Sequence, residues 1–190
     1  MSQKSFIDLG VPEAIAEVLS AQGIDSPFPI QVDTLPDTLA GRDVLGRGKT
    51  GSGKTLAFSI PMVARLAGKR GNTDRKPRGL VLAPTRELAT QITQTLQPIA
   101  EAMNLRVTTI FGGISQQRQV QALRAGVEII VATPGRVEDL MAQGFLKLDA
   151  IEVTVLDEAD HMADLGFLPG VTRILNATPS GGQSLLFSAT

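Results

Sequence analysis

Short apolar segments alternate with stretches of helical periodicity along the whole chain. Six segments of three or four residues are rich in apolar and β-branched side chains: Asp43–Leu45, Leu80–Ala83, Val107–Ile110, Ile129–Ala132, Val153–Leu156 and Ser184–Phe187. Because these segments are apolar at successive positions, they are typical of parallel strands that are buried on both faces. The alternation predicts an α/β domain with a mainly parallel, twisted sheet and helices on both faces.

Between the predicted strands, apolar residues recur at helical spacing. In the first such stretch they are Leu88, Ile92, Leu96 and Ile99. Residues Val120 to Leu123 resemble a second stripe of the same kind. Pro98 interrupts the first stripe, and we expect it to kink or end that helix because proline lacks the backbone N–H.

Each predicted strand is followed closely by a polar or glycine-rich segment. In chain order, these segments are GRGKTGSGKT, PTREL, FGG, TPGR, DEAD and SAT. The carboxyl ends of parallel strands meet at one edge of a sheet, and open α/β sheets bind their ligands there. We therefore expect the chemistry of this protein to be gathered at a single edge.

The first of these segments matches the phosphate-binding pattern G-x-x-x-x-G-K-[ST] over residues 48–55, between a predicted strand and a predicted helix. Its glycines allow backbone N–H groups to surround a phosphate at a helix N-terminus. Lys54 is expected to reach the β and γ phosphates, and Thr55 to ligate Mg²⁺. The residues expected to bind the nucleotide are Lys49, Thr50, Gly51, Ser52, Gly53, Lys54 and Thr55. The alternative is a glycine-rich turn with an unrelated lysine, but a chance match is expected in only about one chain in a hundred of this length.

Two adjacent acids, Asp157 and Glu158, follow the apolar segment Val153–Leu156. Such a pair suits a nucleotide hydrolase, in which Asp157 holds Mg²⁺ and Glu158 orients or deprotonates the attacking water. The alternative is an ordinary helix N-cap with acidic residues in the first turn. Because the phosphate loop is also present, we favour the first interpretation and take Lys54, Asp157 and Glu158 as the candidate catalytic residues.

Composition narrows the class of protein. With 190 residues, 43% of them hydrophobic, the chain can form one domain with a sizeable core. The absence of cysteine excludes a disulfide framework, a thiolate zinc site and a cysteine nucleophile, and the single histidine argues against a His-rich metal site. No apolar stretch has the length of a signal peptide or a membrane span, so we expect a cytoplasmic protein. The net charge of −1 means that any nucleic-acid binding must come from local geometry.

The tetrad Asp157, Glu158, Ala159 and Asp160 resembles the motif that names the DEAD-box ATP-dependent RNA helicases. Further motifs of that family follow one another from Phe6 to Thr190, in the family's order and at similar spacing. The resemblance implies the first RecA-like domain of such an enzyme, with a P-loop NTPase fold, ATP and Mg²⁺ as cofactors and RNA as partner. We expect residues 1–40 to form an N-terminal region packed on the core, and residues 41–190 to form the RecA-like ATP-binding domain.

The resemblance also implies how the nucleotide base is recognised. Gln31 looks like the glutamine of the family's Q motif, which hydrogen-bonds adenine, and Phe6 looks like the upstream aromatic that packs on the ring. A glutamine amide offers the donor and the acceptor that the adenine edge needs, although without the resemblance Gln31 would be an ordinary polar residue at a helix start. Three positions depart from the family pattern: Gly48 replaces alanine, Ile24 an aromatic residue and Phe28 a threonine.

Three further segments resemble the motifs that bind the RNA sugar-phosphate backbone in this family. The implied RNA-binding residues are Pro84, Thr85, Arg86, Gly112, Gly113, Thr133, Pro134, Gly135 and Arg136. Taken singly, such segments are ordinary turns. Three of them at one sheet edge beside an ATP site favour RNA binding, and backbone contacts imply little sequence specificity. The basic stretch at residues 69–78 leads into the opposite edge, so we expect a solvated loop that does not bind RNA.

The segment formed by Ser188, Ala189 and Thr190 resembles the family's motif III. The resemblance implies that Ser188 and Thr190, together with Asp160, couple the ATP state to RNA binding. His161, which follows the tetrad, is expected to be structural. The family's second RecA-like domain, which carries its arginine fingers, is not in these residues, so we expect the chain alone to be weakly active. Two alternatives remain open: a nucleotide-binding module with negligible turnover, and a DNA helicase or translocase of the same superfamily.

Overall fold

The computed structural model describes residues 2–68 and 75–189. In that part of the chain, strands and helices alternate after two N-terminal helices. The elements are α1 (Glu13–Ala21), α2 (Pro29–Leu39), β1 (Val44–Arg47), α3 (Lys54–Leu66), β2 (Gly79–Leu82), α4 (Arg86–Ala102), β3 (Val107–Ile110), α5 (Gln117–Ala125), β4 (Ile129–Ala132), α6 (Pro134–Ala142), β5 (Val153–Leu156), α7 (Ala159–Asp164), α8 (Leu168–Asn176) and β6 (Gln183–Ser188).

All six strands lie in one sheet with the order β1-β6-β5-β2-β4-β3, and every neighbouring pair is parallel. The strands β2, β4 and β5 are in register at their first residues, with Gly79 opposite both Ile129 and Val153. The carboxyl ends of the strands therefore lie side by side. This arrangement confirms the predicted α/β class with a parallel sheet.

Side chains that alternate along the strands enter two separate apolar clusters. Val81, Val131 and Val155 pack with residues of α1 to α4 in one cluster. Leu80 and Ile130 pack with residues of α5, α6, α7 and α8 in the other. Since successive residues of a strand point to opposite faces, the helices cover both faces of the sheet, as the sequence predicted.

The strand boundaries agree with the sequence except at three strands. Predicted and observed residues coincide for β3, β4 and β5, while β2 begins and ends one residue earlier and β6 extends by one residue at each end. β1 runs over Val44–Arg47 and not over Asp43–Leu45. The difference arises because Gly46 and Arg47 pair with β6. A glycine followed by an arginine is not typical of a buried strand, so the local pattern did not predict that pairing.

Helix α4 continues past Pro98 to Ala102, so the expectation that Pro98 ends the helix is wrong. A proline inside a helix removes one hydrogen bond and crowds the preceding turn. Here the turns on both sides are held by fully buried residues, Leu96, Ile99 and Ala100, which pack into the core. Burial of an apolar helix face can outweigh such a local cost.

The N-terminal residues share their core with the central helices. Phe6, Leu9, Ile15 and Leu19 are buried in the cluster that also contains residues of α3 and α4.

Within the described residues, no helix is both long enough and apolar enough to cross a membrane.

Only part of the basic stretch lies within the described residues, because residues 69–74 fall outside them. Lys76 Nζ lies 2.8 Å from Asp149 Oδ2, and Arg78 Nε lies 2.6 Å from Glu152 Oε2. Arg78 and Glu152 immediately precede β2 and β5. The described part of the stretch therefore lies at the amino edge of the sheet, opposite the motif-bearing segments.

Candidate functional site

The phosphate loop, residues 48–53, connects the end of β1 to the start of α3. Gly53 adopts φ +87, a left-handed conformation that residues with a Cβ rarely adopt. A Cβ on Gly53 would also lie 2.6 Å from Gln31 Nε2. Glycine at this position therefore allows the loop to turn and to approach α2 closely.

Gly48, one of the three departures from the family pattern, lies in a crowded part of this loop. A Cβ on Gly48 would lie 2.5 Å from Ser52 Oγ and 2.8 Å from Ile30 Cδ1. The alanine that the resemblance leads one to expect would not fit this loop conformation without a shift of its neighbours.

Lys54 and Asp157 form the polar centre of the site. Lys54 Nζ lies 3.6 Å from Asp157 Oδ1, and the two side chains are only 8% and 2% exposed. Burial raises the pKa of Asp157, while the charge of Lys54 and the N–H of Glu158 oppose that rise. A buried carboxylate beside a lysine, at the end of a phosphate loop, suits a site that holds phosphate and a divalent cation.

Glu158 caps the N-terminus of helix α7 in a strained backbone conformation. It has φ 51 and ψ 51, in the left-handed region, and its N–H donates to Asp157 Oδ1 at 2.9 Å. Non-glycine residues in this region are uncommon and are often found at functional sites. His161 Nδ1 lies 3.3 Å from Glu158 Oε2, and the imidazole is partly exposed instead of packed in the core.

The residues present fit a nucleotide with Mg²⁺. Ser52 Oγ is buried and has no hydrogen-bond partner among the described residues. A bound phosphate oxygen would supply the missing partner. The described part of the chain holds no cluster of three or more His, Cys, Asp and Glu side chains that could bind a metal alone. Mg²⁺ is commonly held by one or two carboxylates together with substrate phosphates, and Asp157 with Thr55 matches that pattern.

Gln31 is fully buried and links helix α2 to the phosphate loop. Its Oε1 accepts a hydrogen bond from the Phe28 N–H at 2.9 Å, and its Nε2 donates to the Gly53 carbonyl at 3.0 Å. Phe6 is also buried. The structure thus places Gln31 against the nucleotide loop, and its contact with a base stays a prediction.

Ser188 lies at the end of β6, beside the start of the phosphate loop. Its carbonyl accepts a hydrogen bond from the Gly48 N–H at 3.0 Å, and it is paired in register with Arg47. Asp160 lies in the first turn of α7. Thr190, the third residue predicted to couple ATP to RNA, lies outside the described residues.

The three predicted RNA-binding segments meet around one cavity of about 550 Å³. It is lined by seven of the predicted residues, Pro84, Arg86, Gly112, Thr133, Pro134, Gly135 and Arg136, together with Asp139 and Phe167. The other two predicted residues, Thr85 and Gly113, are sequence neighbours of lining residues but do not line the cavity themselves. Thr85 caps α4, its Oγ1 accepting a hydrogen bond from the Leu88 N–H at 3.1 Å.

Sequence reasoning missed Phe167, which lies between α7 and α8 and reaches the cavity from another part of the chain. The available signal was a pair of large apolar residues, Phe167 and Leu168, directly after Gly166. Leu168 is half exposed, which is unusual for so large an apolar side chain beside a polar loop.

The carboxyl edge of the sheet is divided into two halves by the strand order. Strands β1, β6 and β5 are neighbours and carry the phosphate loop, Ser188 and the two acids. Strands β2, β4 and β3 are neighbours on the other side and carry the three cavity-lining segments. A phosphate-loop site and a second, separate cavity therefore stand side by side on one edge, which defines a P-loop NTPase domain with room for a second ligand.

Comparison with known proteins agrees with this class. Residues 28–190 match the model of the DEAD/DEAH box helicase family, and the chain belongs to that family. It is 45% identical over 188 residues to the DEAD-box ATP-dependent RNA helicase 24 of Oryza sativa subsp. japonica, covering 98% of this chain and 24% of the relative. It is 42% identical over 195 residues to the ATP-dependent RNA helicase RhlB of Sodalis glossinidius (strain morsitans), covering all of this chain and 47% of the relative. The chain thus spans less than half the length of either relative.

Proposed function

We propose that this chain is the ATP-binding RecA-like domain of an RNA-dependent ATPase that separates short RNA duplexes locally. The observation that carries the proposal is the division of one sheet edge between a phosphate-loop site and a cavity lined by loops and helix N-termini. The family membership and the names of the two relatives support RNA as the second ligand.

In the proposed ATP site, Lys54 neutralises the β and γ phosphates and the loop N–H groups surround them. Thr55 and Asp157 would hold Mg²⁺, which would further neutralise the charge of the phosphates. Glu158 accepts a hydrogen bond from the attacking water and orients it towards the γ phosphate. The N–H of Glu158 donates to Asp157 Oδ1 at 2.9 Å, which helps to fix the backbone that carries the Glu158 carboxylate.

For the base, we propose that Gln31 reads the edge of adenine and that Phe6 supports the ring. In the structure the Gln31 amide lies beside the phosphate loop with its oxygen bonded to the Phe28 N–H and its nitrogen bonded to the Gly53 carbonyl, so adenine recognition requires one of these bonds to be exchanged for a bond to the base. Both partners of Gln31 are main-chain groups, and a small movement of Phe28 would free the amide oxygen for the base. Hydrogen-bonded base recognition penalises a base that leaves these groups unpaired.

In the proposed RNA site, the backbone phosphates lie at the N-termini of α4 and α6 and at the glycines after β3. Free N–H groups and the positive end of the helix dipole attract phosphate at such places. Arg86 is exposed at the first position of α4 and adds a positive charge. Contacts of this type position an RNA strand without reading its sequence.

The remaining parts of the proposal concern the whole protein. We propose that a second RecA-like domain closes over ATP and RNA and supplies arginines to the transferring phosphoryl group. Asp160, Ser188 and Thr190 would couple closure to hydrolysis, and residues 1–40 would form an N-terminal region packed on the RecA-like core at 41–190, within a single domain. The cysteine-free sequence fits a reducing compartment, and we propose a cytoplasmic location.

The test is steady-state ATP hydrolysis by this chain and by the complete protein, each with and without single-stranded RNA, and with single-stranded DNA of the same sequence as a control. We expect RNA-stimulated turnover in the complete protein and far slower, unstimulated turnover in this chain, because a trans-acting arginine is worth about 10³ to 10⁵ in rate. Stimulation by DNA alone would favour a translocase on DNA. No turnover in either protein would favour a nucleotide-binding module.

A further inference from the structure

Gln119 is a buried polar residue that the proposed ATPase mechanism does not use. It lies on α5, is 5% exposed and uses both ends of its amide within the protein. Its Nε2 donates to the Phe111 carbonyl at 2.9 Å, and its Oε1 accepts from Arg136 Nη1 at 3.0 Å. A buried amide with both groups satisfied holds its partners firmly, because leaving either one unpaired is costly.

Arg136 is expected from the resemblance to contact RNA, but its guanidinium is occupied by the protein. Besides Gln119, its Nη2 donates to the Ile114 carbonyl at 2.9 Å, and its Nε lies 3.7 Å from Asp139 Oδ2. The side chain is only 12% exposed. Two of the five guanidinium N–H groups are hydrogen-bonded within the protein and the side chain is largely buried, which limits its access to a phosphate.

Gln119 and Arg136 donate hydrogen bonds to the backbone on both sides of a glycine pair. The Phe111 carbonyl precedes Gly112 and Gly113, and the Ile114 carbonyl follows them. On its other side the loop meets Arg86, whose guanidinium lies 5.0 Å from the centre of the Phe111 ring. A Cβ on Gly113 would come within 2.7 Å of Arg86 Nη1.

We propose that Gln119 and Arg136 are positioning residues that hold the Gly112–Gly113 backbone in the conformation that binds RNA, and that Arg136 does not itself neutralise a phosphate. The inference rests on the proposed function of this cavity in RNA binding. Two adjacent glycines have the greatest backbone freedom of any dipeptide. Fixing them in advance lowers the entropic cost that RNA binding would otherwise carry.

Salt dependence separates the two roles of Arg136. A side chain that neutralises a phosphate releases counterions, and on single strands each such contact contributes about −0.7 to the slope of log K against log salt concentration. The glycine N–H groups are uncharged and contribute nothing to that slope. Loss of loop order therefore weakens RNA binding at every salt concentration equally, whereas loss of a phosphate contact makes the slope shallower.

The experiment measures binding of a fluorescent single-stranded RNA to the complete protein, with a non-hydrolysable ATP analogue, at several KCl concentrations. The variants are Gln119→Leu, Arg136→Lys, Arg136→Met and the double variant Gln119→Leu/Arg136→Met. The matched control is Gln116→Leu at the N-cap of the same helix, where the amide pairs with the Gln143 amide and not with a loop carbonyl. Nucleotide affinity without RNA and thermal unfolding are measured for each.

We expect all three single variants to weaken RNA binding at least tenfold with an unchanged salt slope, and the control to stay within twofold of wild type. The double variant should be scarcely weaker than either single variant, because the two residues act as one unit. In ATPase assays, the RNA concentration for half-maximal stimulation should rise while nucleotide affinity stays at the wild-type value. A purely structural defect would lower nucleotide affinity and melting temperature together with RNA affinity.

Two results would overturn the inference: wild-type RNA affinity in Arg136→Lys, which keeps the charge but not the fork, or a slope shallower by about 0.7 in Arg136→Met. If Gln119→Leu does not fold, Arg136→Lys still decides, because its side chain keeps its charge and most of its volume. Absence of RNA binding by the wild-type protein would instead refute the proposed function.

Discussion

Lys54 Nζ lies 3.6 Å from Asp157 Oδ1 in a nearly closed environment, although the two residues belong to different halves of the chain. Lys54 begins the helix after β1, and Asp157 follows β5, with β6 between the two strands. Burial raises the pKa of Asp157, and Lys54 is the nearby cation that limits the rise. We therefore expect a substitution of Lys54 to change nucleotide binding, the pKa of Asp157 and the free energy of unfolding together.

Lys54→Met should abolish most ADP binding to this chain and should raise the pKa of Asp157 further above its ordinary value of 3.8. The variant should be less stable than wild type at pH 7 by roughly 3 kcal/mol, because it leaves a buried carboxylate without its partner. Calorimetric titration of ADP and denaturant unfolding at several pH values measure both effects.

The sign of the pH dependence follows from linkage. An acid whose pKa is raised on folding binds protons more tightly in the folded state, so acidification stabilises that state. The deficit of Lys54→Met relative to wild type should therefore shrink as the pH falls towards the raised pKa of Asp157. A deficit that stays constant from pH 7 to pH 4.5 would show that Asp157 does not depend on Lys54. Arg42→Met, which breaks an exposed pair with Asp37, is the control.

Glu158→Gln should keep nucleotide affinity and lower ATP turnover by the complete protein at least 100-fold, since a positioned base contributes about 10² to 10⁴ in rate. Single-turnover hydrolysis and fluorescent nucleotide titration separate the two quantities. Glu13→Gln, at the exposed start of α1, controls for the loss of one negative charge. Normal turnover in Glu158→Gln would remove Glu158 from the proposed mechanism.

We expect this chain to bind ADP at least tenfold more tightly than GDP, and we expect Gln31→Glu to reduce that preference. Glutamate keeps the acceptor for the Phe28 N–H but cannot donate to the Gly53 carbonyl or to a base nitrogen. Parallel titrations of both nucleotides measure the ratio. Gln183, another buried glutamine with main-chain partners, provides the control variant Gln183→Glu. Equal affinities for ADP and GDP in the wild-type chain would contradict base recognition by Gln31.

Reversal of the charges at Arg75 and Lys76 to glutamate should leave the RNA affinity of the complete protein within twofold of wild type at matched salt. Lys76 pairs with Asp149 at the amino edge of the sheet, far from the cavity at the carboxyl edge. Arg86→Glu, inside the cavity, should weaken binding strongly in the same assay and shows that the assay responds to charge. A large loss in the Arg75 and Lys76 variant would mean that RNA reaches both edges.

Local pattern predicted the bounds of β3, β4 and β5, in which every residue is apolar or β-branched. It failed where packing outweighed local preference. Pro98 is tolerated within α4 because the residues around it are buried. The end of β1 was missed because Gly46 and Arg47 join the sheet only through their pairing with β6.

The sequence by itself determined the residue types of the proposed ATP site, because the phosphate loop and the acids after β5 are contiguous motifs whose chemistry depends on short spacing. Only the tertiary structure decided the strand order, and with it the separation of the nucleotide half of the edge from the cavity half. It also decided the roles of side chains that act across the fold. Gln119 and Arg136 are 17 positions apart and meet through the packing of α5 and α6 around β3 and β4. Such a contact depends on long-range burial, which no local pattern encodes.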